Sequence, residues 1–149
     1  MRISAVATAA VFVALVSAST STAASSGEVL RVTPPTVKFG TKPVGTFTLK
    51  GARIANVSSS TVNVIVTILA EPDDFSFGLL PGSTCPVFEP APLDAGAACD
   101  AVVGFRPSEF FAGHEQVASL LATATDPISG AVLDTETIDF TGRGKSAAG

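Results

Sequence analysis

Short runs in which apolar and polar residues alternate constrain the fold most strongly. Every second residue is apolar in the run 62–68 and again in the run 99–105. Strict alternation of this length is typical of a β-strand with one buried face, because successive side chains point to opposite faces. β-branched residues dominate the first run, which favours a strand further. No stretch after residue 28 shows a sustained helical period. The chain is therefore predicted to fold from β-strands.

Further strands are predicted between clusters of turn-forming residues. The candidate segments are 30–33, 36–39, 45–56, 75–77, 117–125 and 138–140. Pro34 and Pro35 separate the first two segments and cannot donate ladder hydrogen bonds, so both segments are predicted to lie at sheet edges. About seven short strands over about a hundred residues predict one all-β, antiparallel β-sandwich. The absence of an internal repeat indicates a single module.

The first 24 residues have the organisation of a secretory signal peptide. Arg2 precedes an uncharged apolar stretch at 3–18, and small residues follow it at 19–26. The apolar stretch is short for a membrane span, although a buried N-terminal helix is an alternative. We expect cleavage near Ala24, a sandwich over 25–144 and a flexible tail over 145–149. The mature protein is expected outside the cell or in the cell envelope.

Cys85 and Cys99 are the only two cysteines. In an oxidising compartment the pair is expected to form a disulfide, with two free buried thiols as the alternative. The bond would close a loop of about fifteen residues and stabilise the fold by roughly 3 kcal/mol. A zinc site would need more ligands than these thiols and the single histidine offer.

The charge pattern narrows the class of partner. The chain has 9 basic and 13 acidic residues, and the basic residues form no run in the sequence. We therefore expect no nucleic acid as a partner, because phosphate binding needs a stripe of Arg and Lys. No glycine-rich loop suited to a phosphate is present, and no cofactor is expected. The cluster of Glu71, Asp73 and Asp74 is predicted to be a solvated acidic turn, with calcium binding as the alternative.

His114 is the one histidine, and no G-x-S-x-G nucleophile motif accompanies it. We interpret it as a surface-loop residue and predict that the protein is not an enzyme.

Asn56 is expected to bond to its own backbone two residues on and so to shape a turn. Asn56-Val57-Ser58 also fits the pattern of a glycosylation acceptor.

An ordered set of residues resembles a known family. The set is Pro35, Val37, Phe39-Gly40, Val44-Gly45-Thr46, Ile54, Asn56, Phe75, Phe77, Cys85, Leu93, Cys99, Ala101, Val103, Phe105, Pro107, Gly113 and Phe140-Thr141-Gly142-Arg143-Gly144. It resembles the immunoglobulin-like ASH/SPD-2/Hydin-type domains, which in exported bacterial proteins are often called choice-of-anchor D domains. The resemblance covers about residues 33–144. It implies an immunoglobulin-like fold for the predicted sandwich.

The sequence thus predicts a secreted, non-enzymatic immunoglobulin-like module that acts as an interaction or structural protein. Its partner would be a protein or a cell-envelope component, bound at sheet edges or at the end loops. No membrane span is expected in the mature chain. A periplasmic-type assembly chaperone and a small secreted enzyme or inhibitor are the alternatives.

Overall fold

A computed structural model describes residues 27–70 and 76–146 of the chain. Nine strands form: β1 (Leu30–Thr33), β2 (Thr36–Pro43), β3 (Thr48–Asn56), β4 (Val62–Ala70), β5 (Phe77–Leu79), β6 (Ala91–Leu93), β7 (Ala98–Phe105), β8 (Glu115–Thr125) and β9 (Val132–Lys145). A short 3-10 helix spans Glu109–Phe111. The predicted signal peptide and the acidic cluster at 71–74 lie outside the described residues. Within the described ranges, no helix is long and apolar enough to cross a membrane.

The strands form the two sheets of a β-sandwich, as predicted. One sheet has the order β1-β3-β7-β5 and the other has the order β2-β9-β8-β4-β6. The structure differs from the expected antiparallel arrangement in one pair, because β2 runs parallel to β9 from Thr36 to Pro43. It also has nine strands where about seven are predicted. The alternation pattern misses β6, since Ala91-Pro92-Leu93 is too short and carries a proline.

The Pro34-Pro35 pair moves the chain from one sheet to the other. β1 lies at the edge of the first sheet and β2 at the edge of the second, which confirms the predicted edge positions. The crossing brings β2 beside the last strand, β9. Lys145 pairs with Pro43 and its carbonyl accepts the Val44 N–H at 3.0 Å. β9 therefore continues one residue into the segment predicted as a tail.

Phenylalanine rings fill the centre of the sandwich. The Phe77 and Phe105 rings stack at 4.7 Å, and the Phe39 ring lies 5.2 Å from that of Phe105 and 6.3 Å from that of Phe140. All four residues are buried. The buried positions of β4 and β7 follow the predicted alternation, with Val62, Val64, Val66, Cys99, Ala101, Val103 and Phe105 facing inward.

Asn56 closes the β3–β4 turn from inside the protein. Its Oδ1 accepts the Ser58 N–H at 3.0 Å, which confirms the predicted turn, and its Nδ2 donates to the carbonyls of Ser60 and Leu93. The side chain is completely buried. The amide nitrogen of the glycosylation pattern is thus enclosed and occupied in the folded protein.

Candidate functional site

The loop between β5 and β6 is attached to both sheets. Cys85 in this loop forms a disulfide with Cys99 on β7. Next to it, the N–H groups of Thr84 and Cys85 both donate to the Asp100 carbonyl, at 2.8 and 3.2 Å. On the other side, the Val66 N–H of β4 donates to the Pro86 carbonyl at 2.8 Å. The loop therefore bridges the two sheets along one side of the sandwich and is held at several points.

Below this loop an open apolar groove separates the two sheets. We call it the β4–β5 groove; it measures about 410 Å³ and is lined by Val66, Thr67, Ile68, Leu79, Leu80, Pro81, Val87 and Phe88. None of these side chains is charged. Phe88 is 93% exposed. Phe88 therefore exposes an aromatic ring beside the groove, as Phe110 exposes one on the 3-10 helix.

On β4, the backbone N–H and C=O groups of Ile68 point towards the groove. In an antiparallel ladder, successive residues direct their N–H and C=O groups to opposite neighbours. Val66 donates to Pro86, away from β8, so Ile68 two residues later also points away from β8. The β6 pairing ends at Val64, and among the described residues no strand pairs with Ile68 on this side.

On β5, Leu79 presents a second free edge. The Leu80 N–H donates to the Val102 carbonyl, and the Arg106 N–H donates to the Ser76 carbonyl. Leu79 lies between these bonded positions and directs its N–H and C=O away from β7. Within the part of the chain that the structure describes, Leu79 has no second strand partner. Two free strand edges therefore border one uncharged groove.

On the opposite side of the sandwich, a lysine side chain spans the gap between the sheets. Lys50 on β3 extends across the gap and its Nζ donates to the Lys38 carbonyl on β2. The same ammonium lies 6.0 Å from the centre of the Phe39 ring, which favours it electrostatically. Lys50 therefore covers part of the gap between the sheets on the β2–β3 side.

The structure also brings together basic residues that are dispersed in the sequence. Lys38 and Lys42 lie on β2, and Arg143 and Lys145 lie on β9. The parallel pairing sets Thr41 beside Arg143 and Pro43 beside Lys145. About a hundred residues separate the two pairs in the chain, so no local pattern indicates this cluster. The basic residues form no run in the sequence, and it is the fold that brings these four onto two adjacent strands.

Acidic residues gather where β9 begins. Asp134 Oδ2 accepts the N–H groups of Val29 and Leu30, at 2.8 and 2.9 Å. The pKa of Glu136 is raised by its partial burial and further by repulsion from Asp134 and Glu28. In contrast, Glu28 is paired with Arg31, whose hydrogen bond and charge lower the pKa of the Glu28 carboxyl.

His114 lies on an exposed turn between the 3-10 helix and β8, as expected for a surface-loop residue. Its backbone N–H donates to the Phe111 carbonyl at 3.1 Å. The described residues contain no group of three metal-ligating side chains.

Comparison of the sequence with family models and with curated proteins finds no match. Among solved structures, the chain is similar to the ASH/PapD-like domain 7 of human CEP192. The TM-score is 0.63 at 11% identity, over 99% of this chain and 98% of that one. It is also similar to WR4, an MSP family member of C. elegans, with a TM-score of 0.52 at 14% identity over 76% of this chain and 97% of that one. A third similar structure is the E. coli chaperone DraB, with a TM-score of 0.53 at 15% identity, over 80% of this chain and 57% of that one.

The two sheets, the crossing of the chain at Pro34-Pro35 and these similarities define the class of protein. The chain is a single β-sandwich with the immunoglobulin-like fold of ASH/PapD-like domains. The resemblance expected from the sequence is thus confirmed at the level of the fold.

Proposed function

We propose that the protein is an exported, non-enzymatic interaction module that binds an extended segment of a partner protein in the β4–β5 groove. One observation carries this proposal. Among the described residues, Ile68 and Leu79 direct backbone groups that have no strand partner to the border of a groove with no charged lining residue. Free backbone edges select an occupant that is itself an extended backbone, because such a segment can form a new ladder.

The lining of the groove determines which side chains the segment can carry. Ile68, Leu79 and Phe88 would contact every second side chain of an added strand, since alternate side chains point to the same face. A charged side chain would lose hydration here without gaining a counter-ion. We therefore expect a segment whose alternate residues are apolar. Such a partner matches the chemistry of a β-strand that is exposed in another protein.

Export and the absence of catalysis belong to the same proposal. The apolar N-terminal stretch and the Cys85–Cys99 pair both suit an oxidising compartment. Thr67 is the only residue lining the groove whose side chain carries a hydroxyl, and His114 lies on an exposed turn. Neither arrangement places a nucleophile beside a base.

Peptide selection tests the binding proposal. A display library of random nine-residue peptides is selected on the oxidised protein, and enriched peptides are measured again with Phe88→Ala and with Phe110→Ala. Phe110 is 85% exposed on the 3-10 helix, so its removal deletes an equally exposed ring elsewhere. We expect alternating apolar peptides whose affinity falls roughly tenfold with Phe88→Ala, about 1.4 kcal/mol, and stays unchanged with Phe110→Ala. Equal losses in both variants, or no enriched peptide, would contradict the proposal.

Export is tested separately, by N-terminal sequencing of the protein recovered from the culture fluid or envelope of its host. We expect the recovered chain to begin near residue 25. Recovery only from the cytoplasm, with residues 1–24 retained, would contradict export while leaving the groove proposal in place.

A further inference from the structure

Three cations on β2 and β9 share the outer face of the sheet and form a surface that we call the cationic strip: Lys38, Arg143 and Lys145. All three side chains are exposed, whereas Lys42 is half-buried and pairs with the buried Gly144, so its side chain lies on the other face. β2 and β9 are adjacent and parallel, with Lys38 beside Thr141 and Pro43 beside Lys145. The strip spans four residue steps on β9, from the level of Thr141 to Lys145, which at about 3.3 Å per residue is roughly 13 Å.

The positive charge of the strip is only partly offset within the described residues, by Glu115 opposite Arg143 in the β8–β9 ladder. The ion pairs among the described residues join Arg31 to Glu28 and Arg53 to Asp100. No member of the cationic strip has an acidic group within ion-pair distance in the described ranges. A chain with a net charge of -4 therefore concentrates free positive charge on one edge of one sheet.

Between Lys38 and Arg143 the strip contains a hollow of about 290 Å³. Thr41 and Thr141 contribute hydroxyl groups to its wall, and Gly40, whose φ is 71°, leaves part of it without a side chain. No apolar side chain lines the hollow. Glu115, which lies opposite Arg143 in the β8–β9 ladder, is its one acidic lining residue.

We propose that the cationic strip binds a linear phosphate polymer. Free cations arranged along two strands complement an anion that repeats along a chain, and Arg143 can grip a phosphate with two parallel hydrogen bonds. The hollow favours such a polymer over an acidic protein, because protein interfaces centre on apolar and aromatic anchors. A polyanion binds without apolar or aromatic anchors, because the release of counter-ions provides its affinity.

This site is distinct from the β4–β5 groove. β2 is one edge of its sheet, whereas β4 and β6 lie at the other end of the strand order. The two surfaces can therefore be occupied at the same time, and either proposal can fail without the other. Binding at the strip would hold the module on a phosphate-rich surface while the groove remains open to a protein.

The first measurement is binding of long-chain inorganic polyphosphate to the purified protein at several salt concentrations. Three phosphate contacts predict a slope of about −2 for log K against log salt, using the single-strand coefficient. Between 50 and 200 mM salt the affinity should then fall roughly twentyfold. A salt-independent affinity, or no binding at 50 mM salt, would overturn the proposal.

Charge-matched variants locate the site. Lys38→Gln with Arg143→Gln should weaken polyphosphate binding roughly tenfold and remove about two-thirds of the salt slope, because two of three contacts are lost. Arg31→Gln with Arg53→Gln removes the same charge elsewhere and should leave binding within about twofold, since screened distant charges contribute little. Equal losses in the two double variants would overturn the assignment to the strip.

A variant that gains affinity gives an independent check. Glu115→Gln removes the acidic group from the hollow and should tighten polyphosphate binding, whereas Glu89→Gln, an exposed carboxylate elsewhere, should not. Poly-L-glutamate and single-stranded DNA serve as competitors. Tighter binding of poly-L-glutamate would identify an acidic protein as the partner and overturn the proposal. Tighter binding of DNA at equal phosphate would show that bases contribute, and would also overturn it.

Discussion

Ile68 on β4 and Leu79 on β5 border the same groove from opposite sheets, and each directs towards it backbone groups that have no strand partner among the described residues. This relationship depends on the loop that connects the two sheets. The Cys85–Cys99 bond fixes the loop to β7, and the Pro86 carbonyl fixes it to Val66 on β4. The disulfide thus supports the fold and also holds Phe88 at the mouth of the groove.

Removal of the disulfide should therefore affect stability and binding together. Cys85→Ala with Cys99→Ala is expected to destabilise the fold by about 3 kcal/mol, because the unfolded chain regains the freedom of a fifteen-residue loop. For a domain of this size the loss lowers Tm by roughly 10 °C, measured by calorimetry. Wild-type protein under reducing conditions is the control and should melt with the variant. An unchanged Tm would show that the bond does not restrain the fold.

Asn56 should be essential for the β3–β4 turn. Asn56→Ala leaves the Ser60 and Leu93 carbonyls and the Ser58 N–H without their buried partner, at a cost of about 3 kcal/mol in unfolding free energy. Asn63→Ala on β4 is the control, since Asn63 is only half-buried. Denaturant titration of both variants separates the effects. Equal, small losses would show that the hydrogen bonds of Asn56 contribute little.

Two glycines should respond in opposite ways to the addition of a methyl group. A Cβ on Gly142 would lie 2.6 Å from the Phe105 ring, so Gly142→Ala should destabilise the core by about 2 kcal/mol. A Cβ on Gly78 would meet no atom within 4 Å, so Gly78→Ala should be neutral or stabilise by about 0.5 kcal/mol. Thermal melting distinguishes them, and a similar Tm for both variants would contradict the packing at Phe105.

Because the pKa of Glu136 is raised, replacement of this residue by glutamine should increase the stability of the fold in a pH-dependent way. The folded chain holds this proton more tightly than the unfolded chain, so stability falls as the pH rises through the range in which the carboxyl ionises. Glu136→Gln should therefore raise Tm at pH 7 and have little effect at pH 3. Glu89→Gln is the matched control, because the Glu89 side chain is exposed. A gain that is equal at both pH values would exclude this electrostatic cause.

The sequence predicts the sandwich because its alternating runs encode which face of each strand is buried. Alternate residues from Val62 to Val66 and from Cys99 to Phe105 face the core, as the two-residue period requires. The Pro34-Pro35 pair predicts edge strands because proline lacks a ladder donor. The parallel pairing of β2 with β9 is not predictable in the same way, since it joins residues about a hundred positions apart without a local signal.

The sequence predicts the type of binding surface but not the residues that form it. Binding at sheet edges follows from an open sandwich, but the residues at these edges depend on where β6 ends and how the disulfide loop lies. Phe88 illustrates the difficulty, because nothing in its neighbourhood distinguishes it from the buried Phe77. The cationic strip depends wholly on strand order. Alternating runs predict which residues are buried. A surface that combines residues from distant strands can be located only once the strand order is known.

The most direct measurement is backbone hydrogen exchange by NMR, with and without a peptide selected on the protein. A strand added in the β4–β5 groove must bond to the free edge at Ile68 or Leu79, so exchange of at least one of these amides should slow. The Val66 amide already donates to Pro86 and should change little. If the peptide binds while both Ile68 and Leu79 exchange as before, and protection arises at β2 or the end loops instead, the groove is not the binding site.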